Sequence, residues 1–370
     1  MASSDQVIFA WPIASNFGWG IRGLGYALNW PGVAVSSSPE LTAELGPDDP
    51  RRVLLATRID QSKRVQSQIM GSGGQTIELP EPVMVAMGNN LTAGPQAFGR
   101  YLRGRPTIAC PVFEDVEMVK ANIENLKPYD AVVVASRWNQ EVLADLGVYA
   151  KLCHEGVDPV LFNPSVRARQ KDGRFRVFSG GKAEWRKGQD LVIEAFKLFA
   201  EKHDDALLVA SWGSPFQGLA SDFEGKWEYG APPGLHIGRP NYHAWVQKAG
   251  IKPHQFEWVE PRPNWAMPPV YANVDVALFP NRCEGGTNFV AMECISSGVP
   301  TFIRIEFGQD DLLGTGEIYQ RYGTDTFIVE SCVDAMEIAY EDRTIGLFGQ
   351  GSYWTWERHC RQMADIITNA

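Results

Sequence analysis

No apolar run in this chain of 370 residues comes near the roughly 18 residues that a membrane-crossing helix needs. No integral membrane segment is expected. The N-terminus also lacks the basic stretch and long apolar core of a secretory leader, so the expected compartment is the cytoplasm. Cysteine is sparse: the six present, Cys110, Cys153, Cys283, Cys294, Cys332 and Cys360, form no C-x-x-C pair and have no histidine at zinc spacing. Most sit in apolar context and read as reduced, buried small hydrophobes. No D-x-D or histidine–carboxylate cluster has metal-ligand spacing, and the acidic pairs in "HDDA", "PDDP" and "QDDL" read as turns and caps. Positive charge is in deficit, with 34 Lys and Arg against 44 Asp and Glu and a formal net charge of −10. That balance disfavours a protein that coats nucleic acid or an anionic membrane. The clearest local exception is "GRYLRGRPT", where Arg100, Arg103 and Arg105 also fit a solvated face. Peripheral membrane or nucleic-acid contact therefore stays open. Internal repeats and low-complexity tracts are absent.

What is present is a soluble globular composition, 44% hydrophobic and 21% charged, in a chain too long for one ordinary core. Short β-rich runs alternate with helical patterns, which implies parallel sheets with crossover helices. The first-half strand candidates are "QVIFAW", "GVAVS", "RVLLAT", "PVMVAM", "TIACPVF" and "DAVVVAS", with helical periodicity over residues 20–30, 116–124 and 137–146. The polar, Pro-containing stretch "EGVDPVLFNPSVRARQKDGR" reads as a linker. A second alternating series follows: "RFRVFSG", the helix "GQDLVIEAFKLFAEKH", "ALLVASW", "FEWV", "VDVALFP", a helix carrying Glu293, and "PTFIRI". The expected architecture is α/β, two doubly wound domains facing across a cleft, divided as residues 1–165 and 166–350. Residues 351–370, a tryptophan-rich amphipathic helix, are expected to pack back on the first domain. Ligands in such folds bind beyond the C-terminal ends of the strands.

Three segments could carry chemistry there. In "DVALFPNRCEGGTNFVAMECISSGVPTFI" a strand ends at Pro280, a Gly-rich turn follows, and a helix starts near Thr287 or Asn288. Gly298 and Pro300 stop it. Phe289, Val290, Ala291, Met292, Cys294 and Ile295 surround Glu293, and a carboxylate in that company costs several kcal/mol unless it is hydrogen-bonded. Glu284, Gly285 and Gly286 precede a helix start whose free N–H groups and dipole favour an anion. The second segment is "FSGGKAEWRKGQDLVIEAF". Lys182, Arg186 and Lys187 crowd a short loop between Gly181 and Gly188, and three mutually repelling cations call for a counter-anion such as a diphosphate. A solvated basic loop is the competing reading. The third is the turn after the opening strand, "VIFAWPIASNFGWGIRGLGYALNW", where Gly18 and Gly20 allow backbone close to a ligand. An anion at a helix start, with hydroxyls near two carboxylates, describes a nucleotide-sugar.

The ordered set "HEGVDPVLFNP", "GGKAEWRKGQDLVIEAF" and "ALFPNRCEGGTNFVAMECISSGVP" resembles the retaining glycosyltransferases of family 4, which have the GT-B fold. The resemblance implies that Lys182 and Lys187 bind the donor's phosphates. It places Glu284 at the donor sugar's hydroxyls and Glu293 at the ribose, although eight residues separate the pair here where the family has seven. It also puts the backbone of Thr287, Asn288 and Phe289 against sugar and phosphate, and "FEWVEPRPNW" beside the nucleobase.

Acceptor-side candidates sit at expected strand ends of the first domain: Arg58 and Asp60 after "RVLLAT", Gly88, Asn89 and Asn90 after "PVMVAM", and Glu114 and Asp115 after "TIACPVF". As turn residues they would need no function, and His154 and His243 read as structural. The expected activity is metal-independent sugar transfer from a nucleoside diphosphate-sugar, UDP- or GDP-linked, to an acceptor hydroxyl with retention. The donor serves as co-substrate and no cofactor is implied. The resemblance further implies that the leaving phosphate takes the acceptor's proton. A GT-B-shaped epimerase or phosphorylase and a degenerate donor-binding protein are the rival readings. The acceptor is open: lipid, polysaccharide, protein, small metabolite or modified nucleic acid.

Overall fold

The computed structural model describes residues 6–38, 41–42, 45–46, 48–94, 98–167, 172–213, 218–234, 240–315, 318–342 and 354–370. Two six-stranded sheets, each wholly parallel, organise these residues. The first holds β1 (Gln6–Ala10), β2 (Val33–Ser36), β3 (Val83–Met87), β4 (Thr107–Pro111), β5 (Ala131–Val134) and β6 (Lys151–Leu152). Its spatial order is β6-β5-β4-β3-β1-β2. The second holds β7 (Phe175–Gly181), β8 (Ala206–Trp212), β9 (Phe256–Trp258), β10 (Val276–Phe279), β11 (Thr301–Arg304) and β12 (Ile318–Arg321), in the order β9-β8-β7-β10-β11-β12. Both strand orders reverse direction once, between β1 and β3 and between β7 and β10. Crevices open at such switch points because the connections leave to opposite faces.

The helices are α1 (Gly18–Asn29), α2 (Arg51–Gly71), α3 (Val116–Ala121), α4 (Arg137–Asp145), α5 (Gln189–Ala200), α6 (Tyr242–Lys248), α7 (Pro268–Tyr271), α8 (Phe289–Ser296), α9 (Asp325–Glu341) and α10 (Trp356–Thr368). In α5, Leu191, Val192, Ala195, Phe196 and Phe199 are buried at the spacing that gives a helix one apolar face. They share a core with β7, β8, α6 and α9. Trp356, Cys360, Met363, Ala364 and Ile367 of α10 join the first lobe's core around Val7, Phe9, Trp11 and Tyr26. The chain's last helix thus closes the first lobe. Part of the expected linker, residues 168–171, and the expected boundary at 350/351 lie outside the described residues.

One expected strand is a helix. "RVLLAT" belongs to α2, whose buried positions are Leu55, Ser62, Gln66 and Ile69, while Val53 is 77% exposed. Its buried face mixes polar anchors with the apolar Leu55, Ile59, Val65 and Ile69. Ser62 Oγ accepts from the Ser36 backbone N–H (3.0 Å), and the Gln66 amide donates to the Ser38 carbonyl. Arg58 and Asp60 therefore stand on a helix and not at a strand end. Arg58 donates to the Gly32 carbonyl (3.2 Å) and to Gln61 (3.2 Å).

The lobes touch directly. Ser136 Oγ donates to the Gly285 carbonyl (2.7 Å), and the Asn264 backbone N–H donates to the Ser15 carbonyl (2.6 Å). A Cβ on Gly285 would lie 2.3 Å from the Phe113 carbonyl oxygen, so this approach of the two backbones requires glycine.

Candidate active site

A cavity of about 260 Å³ lies between the lobes, above the second sheet's switch point. The loops that leave β7 and β10, together with the first turn of α8, form its floor. Ser15 to Trp19, Ile21, Val112 and Glu155 of the first lobe face it from above.

The loop after β7 turns at Gly181 and at Gly188, whose φ of 72° and the Pro280 carbonyl oxygen 2.6 Å from its would-be Cβ admit only glycine. Arg282 ties this loop to the one after β10. Its guanidinium stacks 3.6 Å over the Trp185 ring, forks onto Asp190 (2.9 and 2.6 Å) and donates to the Trp185 carbonyl (2.8 Å). Lys182, Arg186 and Lys187 all line the cavity. Each of the three also meets carboxylates of the chain itself. Lys182 pairs with Glu184 (3.1 Å). Arg186 pairs with Glu184 (2.8 Å), with Glu114 across the cleft (3.2 Å) and with Glu284 (3.5 Å), while Lys187 is bonded to Glu284. Glu284 also accepts from Asn281 (2.7 Å). Burial alone would push Glu284 up, but Lys187 and Arg186 outweigh it and hold the carboxyl below its usual range. Burial pulls Lys187 down, with Glu284 opposing. Glu184 sits in the same loop, whereas Glu114 and Glu284 come from far away in the chain, where loop composition gives no hint of them.

Glu293, 4% exposed, faces the same cavity from α8. Tyr271 Oη donates to one oxygen (2.7 Å) and the Asn264 amide to the other. Burial pushes its carboxyl up to about 8, the two hydrogen bonds working against that rise. Asn288 caps α8 at a φ of 63°, its side chain accepting from the Ala291 N–H, so the helix begins at Phe289. The first N–H groups of a helix have no intrahelical partner, and Phe289 and Val290 line the cavity.

The structure distributes the remaining expected residues unevenly. Gly18, Gly181, Gly286, Asn288 and Phe289 line the cavity. Gly20 does not; a Cβ there would meet that of Ala14 at 2.5 Å, so this glycine serves the packing of α1. Thr287 is fully buried, its hydroxyl against Met292 Sδ (2.9 Å). On the acceptor side only Glu114 reaches the site, through Arg186. Asn89 accepts from the Glu114 and Asp115 N–H groups (2.7 and 3.1 Å) and shapes that loop, and Asn90 caps its own turn onto Thr92 N–H (3.2 Å). Arg58 lies away on α2. The basic cluster is satisfied locally: Arg100 over Tyr101, Arg103 over Tyr129, Arg105 beside Glu78 (3.7 Å). His154 pairs with Asp311 (3.0 Å) and stacks on Trp354, and His243 meets the edge of Phe256. All six cysteines are free thiols. Among the described residues no cluster could hold a metal ion, and no helix is long and apolar enough to cross a membrane.

Sequence reasoning missed Asn264 and Tyr271 as the partners of Glu293, Asn281 as that of Glu284, and above all Glu155. Glu155 is 7% exposed in the stretch read as linker. Burial pushes its carboxyl up to about 7 against the pull of Arg22. An acid beside a glycine just past a strand end was the available signal.

No family model and no curated protein matches this chain. Solved structures do. Sucrose-phosphate synthase from Thermosynechococcus elongatus superposes with a TM-score of 0.62 at 15% identity, over 99% of this chain and 98% of that one. HepE from Anabaena, solved in complex with UDP-glucose, gives 0.57 at 13%, over 99% and 100%. OtsA without ligand gives 0.57 at 12%, over 98% and 95%. At such identities the shared property is the fold, the two-lobed GT-B architecture.

Proposed function

We propose that this protein is a retaining glycosyltransferase that carries a hexose from a UDP- or GDP-sugar to an acceptor hydroxyl. The carrying observation is one interlobe cavity that joins Lys182, Arg186 and Lys187, at the first turn of α8, to the Glu293–Tyr271–Asn264 group. A nucleoside diphosphate needs those two features: cations and free N–H groups for its phosphates, and a fixed acceptor for its ribose hydroxyls. Both groups of side chains line the one cavity between the lobes, and HepE, solved in complex with UDP-glucose, has the same fold; both support the reading.

In the reaction the bond from the anomeric carbon to the phosphate oxygen breaks, the acceptor oxygen bonds that carbon, and the hydroxyl proton passes to a leaving-phosphate oxygen. Lys182, Lys187 and Arg186 stabilise the charge growing on the diphosphate. Glu284, held by Lys187 and Asn281, fixes the loop that carries Gly285 and Gly286. In this reading Lys182, Arg186 and Lys187 take the part that a metal ion would otherwise play, and the donor is a co-substrate rather than a cofactor. Thermal-shift titration with UDP-, GDP-, ADP- and TDP-glucose tests the reading. UDP- or GDP-glucose should raise the melting temperature, with the ADP and TDP conjugates as base controls. Mass spectrometry of product made with EDTA present, and NMR of its anomeric configuration, should then show transfer with retention. No stabilisation by UDP- or GDP-glucose, or an inverted product, overturns it.

A further inference from the structure

We propose that Glu155 is a recognition residue for the transferred sugar, accepting hydrogen bonds from donor-hexose hydroxyls across the cavity from Gly286. The inference rests on the function proposed above and assigns the sugar end of the same site. If the nucleoside lies at Asn264 and Glu293 and the diphosphate at Lys182 to Lys187, the sugar beyond the second phosphate comes to the Gly285–Gly286 turn. Glu155 faces that turn from the first lobe. Its Oε2 lies 3.3 Å from where a side chain on Gly286 would begin.

The three buried carboxylates of the cavity differ in what they have left to give. Glu293 accepts from Tyr271 and Asn264, and Glu284 from Lys187 and Asn281. Among the described residues Glu155 makes one ion pair and no hydrogen bond: Arg22 Nη1 stands 3.9 Å from Oε1. A buried carboxylate with its acceptor positions unfilled is costly, and hydroxyls are the groups that fill them without adding charge. Arg22 is built to wait behind it. It is 1% exposed, packs 5.1 Å from the Trp11 and Trp19 ring centres, and leaves Nε and Nη2 without partners. Trp19 itself lines the cavity, giving an apolar surface beside the charged pair, as a sugar's two faces require.

Calorimetric titration of the wild type, Glu155→Gln and Glu155→Ala with UDP and UDP-glucose, or with the GDP pair if guanosine is preferred, decides the matter. Glu155→Gln keeps the shape and covers the case in which Glu155→Ala fails to fold. The expected result is selective: affinity for the bare diphosphate within twofold of wild type, affinity for the glucose conjugate down by about tenfold or more. Gly286→Ala, whose methyl enters the same space, should show the same split. Equal losses on both ligands would make Glu155 structural, and a loss of transfer with both affinities intact would put it on the acceptor; either overturns the inference alone. A wild type that binds neither ligand overturns the function beneath it as well.

Discussion

Tyr271 donates its hydroxyl to Glu293 over 2.7 Å, with both side chains buried in the second lobe at the edge of the cavity. The bond does not cancel the cost of burial, since the carboxyl still titrates near 8. A carboxyl whose pKa rises on folding binds its proton in the folded state over a range where the unfolded chain has already lost it. Below the unfolded value of about 4.5 both states are protonated and nothing is lost. From there to about pH 8 stability falls, by at most about 1.4 kcal/mol per unit. Glu293→Gln removes the titration. Its stability relative to wild type should climb between pH 4.5 and 8 and level off above, as read from urea unfolding at a series of pH values. A pH-independent difference would mean that Glu293 ionises normally.

Lys187 and Glu284 form a buried pair whose members have separate work. Lys187→Met leaves Glu284 with Asn281 and the more distant Arg186, and breaking a buried pair costs on the order of 3–5 kcal/mol. Adding Glu284→Gln removes the stranded charge, so the double variant should regain most of the melting temperature. Turnover should stay about 10²- to 10³-fold down in both, because the cation that the proposed function assigns to the diphosphate is gone. Recovery of turnover along with stability would reduce Lys187 to a neutraliser of Glu284.

The docking of α10 on α1 has its own test at Gly25. Gly to Ala within a helix ordinarily gains about 1 kcal/mol. Here the new methyl would lie 2.3 Å from the Trp356 ring, and Trp356 is itself buried in the first lobe's core. The sign should reverse, with a loss of about 1–3 kcal/mol and a change in tryptophan fluorescence in the folded baseline. A stabilised Gly25→Ala would show that α10 is not held there in solution.

Legibility followed the source of each signal. Strands β7 and β10 were readable because short apolar runs end at glycine or proline, and α8 because Asn288 and Gly298 bracket it. Helix α2 was not, because Ser62 and Gln66 interrupt its buried apolar positions with hydrogen bonds to Ser36 and Ser38. The strand β12 and helix α9 went unassigned, although Ile328, Cys332, Ala335, Met336 and Ala339 make a buried face. Within the site, chemistry carried by composition was visible: three cations in one loop, and one acid in an apolar helix. Pairing was not. Glu114 balances Arg186 and Glu155 faces Gly286 only because two lobes close on each other, and a single strand–loop–helix unit contains nothing of that closure.

Asp311 holds the lobes closed from the second-lobe side, so its removal should open the cleft. Its carboxylate, nearly sealed from solvent, accepts from the Arg137 backbone N–H (2.7 Å), pairs with His154 Nε2 (3.0 Å), and lies 3.6 Å from the Arg137 guanidinium. All three partners belong to the first lobe or the segment leaving it. Asp311→Ala takes these contacts away while leaving the Ser136–Gly285 and Asn264–Ser15 bonds, so the lobes should separate part of the time rather than fall apart. Small-angle scattering without nucleotide should show a larger radius of gyration than wild type. On the proposed function, in which the nucleotide-sugar lies in the cavity lined by both lobes, a saturating nucleotide-sugar should restore it by pulling the equilibrium back to the closed form. The apparent Kd should rise by the reciprocal of the closed fraction. Unchanged scattering and unchanged affinity would mean that the remaining interlobe contacts suffice and that Asp311 only orients His154.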